Sequence, residues 1–196
     1  GDFDLDGRLD LLLSSGDYPD DQRLRLYLQQ SNGAFRDVTQ LVGLNHDGSQ
    51  QISLSDVDAN GSLDVLVGQT FNRFAAEQRA GREPRLRLLR SIPERGRRAL
   101  ELRLRGGVEA GVNRDALGAV VQVRLGEIVL QRQLVGIGGH AGKQHDFLIH
   151  VGLGFAPVVD ELVVIWPDAA GATQRFSEVE PGRYELAQGG TLEPSR

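Results

Sequence analysis

Alternating aspartates open the chain and recur in a second segment with the same order. Residues 2–10 read Asp-Phe-Asp-Leu-Asp-Gly-Arg-Leu-Asp, and residues 56–64 read Asp-Val-Asp-Ala-Asn-Gly-Ser-Leu-Asp. Carboxylates at every second position of a tight turn converge on one point, and the glycine permits the sharp bend. The pattern therefore predicts two all-oxygen cation sites, loop one (residues 2–10) and loop two (residues 56–64).

Crowded carboxylate ligands suit a hard cation and favour Ca²⁺ over Mg²⁺. An EF-hand needs a glutamate at position 12 and flanking helices. Position 12 here is Leu13 or Val67, and strand-like runs flank both loops. We therefore predict strand–loop–strand calcium sites. The predicted ligands are, in loop one, Asp2, Asp4, Asp6, the carbonyl of Arg8 and Asp10, and in loop two, Asp56, Asp58, Asn60, the carbonyl of Ser62 and Asp64.

Short strands separated by turns surround the two loops. Residues 24–28 alternate apolar and other side chains, and Asn32-Gly33 is a strong hairpin signal. Repeats spaced by about 50 residues are typical of stacked or radially arranged sheets. The sequence thus predicts four-stranded blades of a β-propeller.

The two loops and the segment LYLQQSNGAFRDVT at residues 26–39 resemble the FG-GAP/VCBS repeats of calcium-binding β-propellers, including the integrin-type propeller. The resemblance covers about two blades, residues 1–92. A closed propeller has about 4–8 blades. Because the chain also starts inside loop one without a Met, we expect it to be a segment of a longer protein.

Residues 97–189 predict a second all-β domain, a β-sandwich of six or seven short strands. Four motifs in this part resemble the ASPIC/UnbV domain. They are Asn-Arg-Asp-Ala-Leu-Gly-Ala (113–119), Gly-Gly-His (138–140) with Gln144, His-Val-Gly-Leu-Gly (150–154) and Val-Val-Ile-Trp-Pro (163–167). Propeller repeats followed by this domain resemble the C-terminal end of the cartilage acidic protein 1 family. That resemblance implies a secreted or surface protein, and its bacterial relatives are associated with enediyne biosynthesis clusters.

Composition narrows the function classes. The 196 residues have a net charge of −5 and contain no cysteine, which excludes disulfides, thiolate metal sites and cysteine nucleophiles. No apolar run reaches the ~18 residues of a membrane span. Residues 72–105 hold eleven Arg and four Glu. The segment lacks the motif or stacking aromatics of a nucleic-acid surface, so we interpret it as a linker and strand faces.

Two functions remain open from the sequence. The first is a non-catalytic calcium-binding interaction or adhesion module, extracellular, periplasmic or on the cell surface, with structural calcium and a protein or glycan partner. The second is an enzyme or an accessory of a biosynthetic pathway, with its active site in blades outside this sequence. We assign no catalytic residue. His140, His145 and His150 leave a histidine metal site as an open alternative, and Trp166 is expected in the core.

The sequence also predicts self-association. Two blades leave sheet edges that neighbouring blades would cover in a closed ring, and unpaired edges recruit other strands. We expect this chain to form oligomers in light scattering as its concentration rises. A monomer at high concentration would contradict that expectation.

Overall fold

The protein is described by a computed structural model over residues 1–14, 23–44, 46–136 and 145–195. Strands make up 44% of it and helices 4%, which confirms the predicted all-β class. The repeat region contains β1 (Leu11–Ser14), β2 (Leu24–Gln29), β3 (Phe35–Asp37), β4 (Ser49–Ser55), β5 (Asp64–Gln69), α1 (Ala76–Arg79) and β6 (Leu86–Leu89). The C-terminal region contains β7 (Arg98–Arg105), a 3₁₀ turn (Val108–Ala110), β8 (Val120–Leu125), β9 (Ile128–Gln133), β10 (Ile149–Gly154), β11 (Val159–Ile165), β12 (Thr173–Val179), β13 (Gly182–Ala187) and β14 (Leu192–Pro194).

The repeat region forms two antiparallel sheets, β1-β2-β3 and β4-β5-β6. Loop one leads directly into β1, and loop two leads into β5. The apolar runs after the two loops thus become equivalent strands. A small core of Leu24, Ile52, Val65 and Val67 lies between the sheets. Each described sheet has three strands, one fewer than the four expected of a propeller blade.

The C-terminal region is a β-sandwich of two four-stranded sheets, β10-β7-β13-β14 and β12-β11-β8-β9. Their inner faces share one apolar core that includes Leu102, Val123, Leu162 and Trp166. The sandwich thus has eight strands, more than the six or seven predicted, and β12 and β14 are the hardest to recognise in the sequence. β12 is a largely exposed edge strand with mixed polarity, and β14 has three residues, so neither carries a strong alternating pattern.

One face of the β10-β7-β13-β14 sheet packs on the core, and the other faces the repeat region. Leu100, Leu102 and Leu104 of β7 point into the core. Glu101 points the opposite way, yet it is only 3% exposed. Glu101, on the side of the strand that its alternation marks as a solvent face, is therefore buried against loop two, whereas Arg98 and Arg105 on β7 stay exposed.

Trp166 is 1% exposed and donates its indole N–H to the side-chain oxygen of Gln174 at 2.7 Å. The expectation of a core position is confirmed. The hydrogen bond satisfies the one polar atom of the ring, which would otherwise be costly to bury.

Leu162→Ala should destabilise the sandwich by about 2–5 kcal/mol, because it empties a fully buried site in a close-packed core. Ile128→Ala is the matched control, since Ile128 lies in the same sheet but is 60% exposed. Urea unfolding followed by the fluorescence of Trp166, the single tryptophan, measures both variants. Equal unfolding midpoints would contradict the assignment of this core.

Candidate metal centre

Each repeated loop gathers three aspartate side chains. In loop one, Asp2, Asp4 and Asp10 each place a carboxylate oxygen within 4.8 Å of the other two, and Asp56, Asp58 and Asp64 do the same in loop two. The six residues occupy positions 1, 3 and 9 of the repeated pattern. The aspartates that are regularly spaced in the sequence thus lie close together in both loops.

The backbone of loop one holds its first and last aspartates by direct hydrogen bonds. Asp2 accepts from the N–H groups of Asp6 at 3.1 Å and Gly7 at 2.9 Å. Asp10 accepts from the N–H groups of Phe3 at 2.7 Å and Gln29 at 2.9 Å. The two carboxylates are therefore fixed by the turn that they close and, for Asp10, also by the Gln29 N–H of β2. One oxygen of Asp4, by contrast, is buried with no hydrogen-bond donor in the described residues.

Loop two repeats this scaffold bond for bond. Asp56 accepts from Asn60 N–H at 3.2 Å and Gly61 N–H at 2.8 Å. Asp64 accepts from Val57 N–H at 3.0 Å and Ser91 N–H at 2.8 Å. Two segments with different intervening residues thus adopt one cage.

Both loops also share an uncommon backbone turn. The fourth residue has a left-handed φ of 61° in Leu5 and 57° in Ala59, although neither is a glycine. The glycine at position 6 has φ 91° in Gly7 and 87° in Gly61. Left-handed conformations cost non-glycine residues roughly 1–2 kcal/mol, so the surrounding hydrogen bonds must enforce this turn.

The fifth position accepts a hydrogen bond from the N–H two residues later in its own loop. Asp6 accepts from Arg8 N–H at 2.9 Å and pairs with the Arg8 guanidinium. Asn60 accepts from Ser62 N–H at 2.8 Å and donates to Ser91 O at 3.0 Å. The Asp6 carboxylate lies outside the group of three. Ligation by Asp6 and Asn60, and by the carbonyls of Arg8 and Ser62, stays a prediction.

The charge balance of each loop fits one divalent cation. Around loop one lie four aspartates and the guanidinium groups of Arg8 and Arg132. Around loop two lie three aspartates, Glu101 and the guanidinium groups of Arg90 and Arg183. The side chains of either set leave two negative charges, which a single Ca²⁺ would offset. The carboxylate oxygens are ligands that Ca²⁺ prefers, and the buried oxygen of Asp4 that accepts no hydrogen bond in the described residues fits the same ion.

Strand β10 of the sandwich contacts loop one along its free edge. The N–H of Gly152 donates to the Asp2 carboxylate at 3.0 Å, and the N–H of Gly154 donates to Leu5 O at 2.7 Å. From the neighbouring sheet, Arg132 donates to Gly7 O at 2.9 Å and lies 3.8 Å from Asp2. Loop one thus satisfies backbone groups that an edge strand would otherwise leave open.

Loop two contacts a row of three side chains on neighbouring strands. His150, Glu101 and Arg183 are paired in register across β10, β7 and β13. The Nε2 atom of His150 lies 2.9 Å from Gly61 O. Arg183 donates to Asp56 O at 2.9 Å, lies 3.2 Å from the Asp56 carboxylate and binds Glu101 at 2.6 Å.

Burial shifts the pKa of several of these groups. It raises the pKa of Asp2 to about 6, against the opposing effects of the Gly7 N–H and of Arg132. It also raises the pKa of Glu101 above its ordinary value, although Arg183 opposes that shift. Burial lowers the pKa of His150 to about 4. The neutral His150 therefore carries its proton on Nε2, where it donates to the Gly61 carbonyl, and its buried Nδ1 has no partner in the described residues.

Sequence reasoning missed Glu101, Arg132 and Arg183 as residues of this site. Glu101 and Arg132 belong to strands in which charged and apolar residues mix, a pattern typical of one solvated face. Only the packing of the sandwich on the loops gives them a buried role. His150 also has a contact that is distant in the sequence, because its Nε2 atom meets the turn of loop two at Gly61 O.

The alternative histidine site is not assembled by the described residues. His145 accepts from Leu54 N–H at 3.2 Å, whereas His150 binds loop two. His140 lies outside the described residues, as do Gly138, Gly139 and Gln144 of the glycine-rich motif.

Comparison with protein-family models gives two matches. Residues 2–67 match the FG-GAP-like repeat, a span that contains both loops, and residues 109–192 match the ASPIC and UnbV domain. A search of curated protein sequences gave no significant match. The narrower resemblance to the cartilage acidic protein 1 family stays a prediction, as do the domain bounds 1–92 and 97–189. The chain carries an FG-GAP-like repeat region followed by an ASPIC/UnbV domain.

Proposed function

We propose that this chain is a non-catalytic, calcium-binding interaction module in which one Ca²⁺ at each loop is structural. The observation that carries the proposal is the duplicated cage. Two loops with different residues hold three carboxylates within 4.8 Å on the same hydrogen-bond scaffold. A chance acidic turn has no reason to be repeated at this level of detail.

The metal stabilises the fold by offsetting self-repulsion among buried carboxylates. Asp2 and Asp56 are 1% and 3% exposed, and buried charges are costly unless they are paired. Extracellular calcium modules bind at roughly 10⁻⁴–10⁻³ M, which keeps them loaded in a calcium-rich medium. Calcium then acts as a permanent part of the fold, not as a switch.

The setting of this module is outside the cytoplasm, at a cell surface, in a periplasm or in the extracellular space. The FG-GAP-like and ASPIC/UnbV matches support an extracellular, adhesion-type β-rich module. Among the described residues, no helix is both long and apolar enough to cross a bilayer. The proposed partner is a protein or a glycan bound on surfaces that the loops keep rigid.

The alternative function is an enzyme or a pathway accessory. The feature that would favour it is a cavity of about 350 Å³ between the repeat region and the sandwich. Two polar residues of its lining, Asp146 and His145, bond across the boundary between the two regions. Asp146 accepts from Ser55 at 3.0 Å and from Arg103 at 3.0 Å, and His145 accepts from Leu54 N–H. These bonds favour an interface role for the cavity, so we keep the binding module as our proposal.

Thermal unfolding in calcium, in magnesium and in chelator tests the proposal. Calcium at a hundred times its Kd adds about 2.7 kcal/mol per site, which corresponds to a melting temperature higher by about 5–10 °C for each site and ~10–20 °C for both. We expect this rise with calcium and a smaller one with magnesium. Calorimetric titration should give binding heat at two sites.

Asp58→Ala/Asp64→Ala should remove the loop-two part of the rise and of the heat. Glu109→Ala/Glu193→Ala is the matched control, because it removes two exposed carboxylates of the C-terminal region. An unsubstituted chain that melts at the same temperature in calcium and chelator, without binding heat, would contradict the proposal.

A further inference from the structure

The His150-Val151-Gly152-Leu153-Gly154 segment has a role that the calcium loops alone do not explain. It forms β10, the edge strand of its sheet, and it is the one described strand that bonds to both loops. His150 binds Gly61 O of loop two, and Gly152 and Gly154 bind Asp2 and Leu5 O of loop one. The segment therefore bridges two sites that are far apart in the sequence.

The glycine at 152 is required by this contact. A Cβ atom there would lie 2.5 Å from the Leu5 Cα and closer still to the Asp2 carboxylate. Neither neighbour can move without opening the turn of loop one. The strand edge and the loop backbone thus approach as closely as only a glycine permits.

Two arginines of the sandwich complete the contact, one at each loop. Arg132 and Arg183 each reach the first aspartate of a loop and also donate to a backbone carbonyl of that loop. Arg183 is held in place by Glu101, which is 3% exposed. Donors from the sandwich therefore fix both the first ligand and the backbone of each cage.

Fixing the loops lowers the cost of closing them around a cation. Ordering a residue costs about 1–2 kcal/mol of conformational entropy, and an ion that meets a preorganised loop does not have to supply it. If docking of the sandwich raises calcium affinity, calcium must stabilise docking by the same factor. The positive charge of the arginines by itself repels the calcium ion and so opposes the gain in affinity. Asp2 and Asp56 are buried, however, and the loops need these arginine partners in order to fold.

We propose that residues 150–154, with Arg132 and Arg183, are the positioning element through which the ASPIC/UnbV domain holds both calcium loops, so that calcium binding and domain docking are coupled. The inference rests on the proposed function, since it assumes that the loops bind calcium. It assigns no new ligand. It assigns to the C-terminal domain the control of calcium affinity in the repeat region.

Calcium titration of full-length variants tests the coupling at each loop separately. The Asp4→Ala/Asp10→Ala background removes ligands of loop one, so Arg183→Met in this background reports on loop two alone. The Asp58→Ala/Asp64→Ala background removes ligands of loop two, so Arg132→Met in that background reports on loop one alone. We expect the Kd of the remaining site to rise on the order of tenfold, the effect of losing a hydrogen bond to a charged group. Arg183→Lys, which keeps the charge without the forked geometry, should recover part of the affinity.

Arg175→Met is the matched control, because Arg175 pairs with Glu161 on the exposed surface of the sandwich. Circular dichroism establishes that each variant is folded. Unchanged or tighter calcium binding in Arg132→Met and Arg183→Met would overturn the inference while leaving the proposed function intact. Absence of calcium binding in the unsubstituted chain would overturn both.

Hydrogen exchange gives a readout in the unsubstituted chain that does not depend on the arginine substitutions. The amides of Gly152 and Gly154 donate to loop one across the domain contact, so their exchange requires undocking. We expect calcium to slow their exchange at least tenfold, and Asp4→Ala/Asp10→Ala to abolish that slowing. Equal exchange rates in calcium and chelator would overturn the coupling.

Gly152→Ala should lower both the melting temperature and the calcium affinity of loop one, because its methyl group has no space between β10 and loop one. Gly68→Ala is the matched control, since Gly68 also lies in a strand but its added Cβ meets nothing nearer than 3.7 Å. Equal calcium affinity in the two variants would contradict a close contact at Gly152.

Discussion

The structure depends on burying carboxylates where water cannot solvate them. Asp2, Asp56 and Glu101 are each 3% exposed or less, and buried charges of one sign repel unless partners offset them. The fold supplies three kinds of partner: backbone N–H groups of the loops, arginines from the sandwich and, in our proposal, a cation. The turns, the glycines and the packing of the two regions all follow from bringing these partners together.

The loops were predictable because their geometry is local. Asp2 and Asp10 bond to N–H groups mostly within their own turn, so spacing in the sequence determines spacing in space. The long-range partners were not predictable. Arg132 and Arg183 come from strands whose pattern only marks an exposed face, and nothing in the order of residues tells which face meets a second domain. For the same reason, the burial of Glu101 could not be predicted from the sequence.

Two sheets meeting at the loops also explain why the edge strand β10 carries glycines. Its outward amides need acceptors, and loop one provides the Asp2 carboxylate and the Leu5 carbonyl. A side chain at position 152 would prevent β10 from coming this close to loop one. A motif that resembles a family signature in the sequence thus has a physical reason in the fold, namely the close contact between a strand edge and a cation loop.

The central claim is that each loop holds one calcium ion among its three gathered aspartates. The most direct measurement is the anomalous diffraction signal of crystals of this chain grown in calcium. The account predicts two peaks, one among Asp2, Asp4 and Asp10 and one among Asp56, Asp58 and Asp64. Well-ordered loops without an anomalous peak at saturating calcium would contradict it.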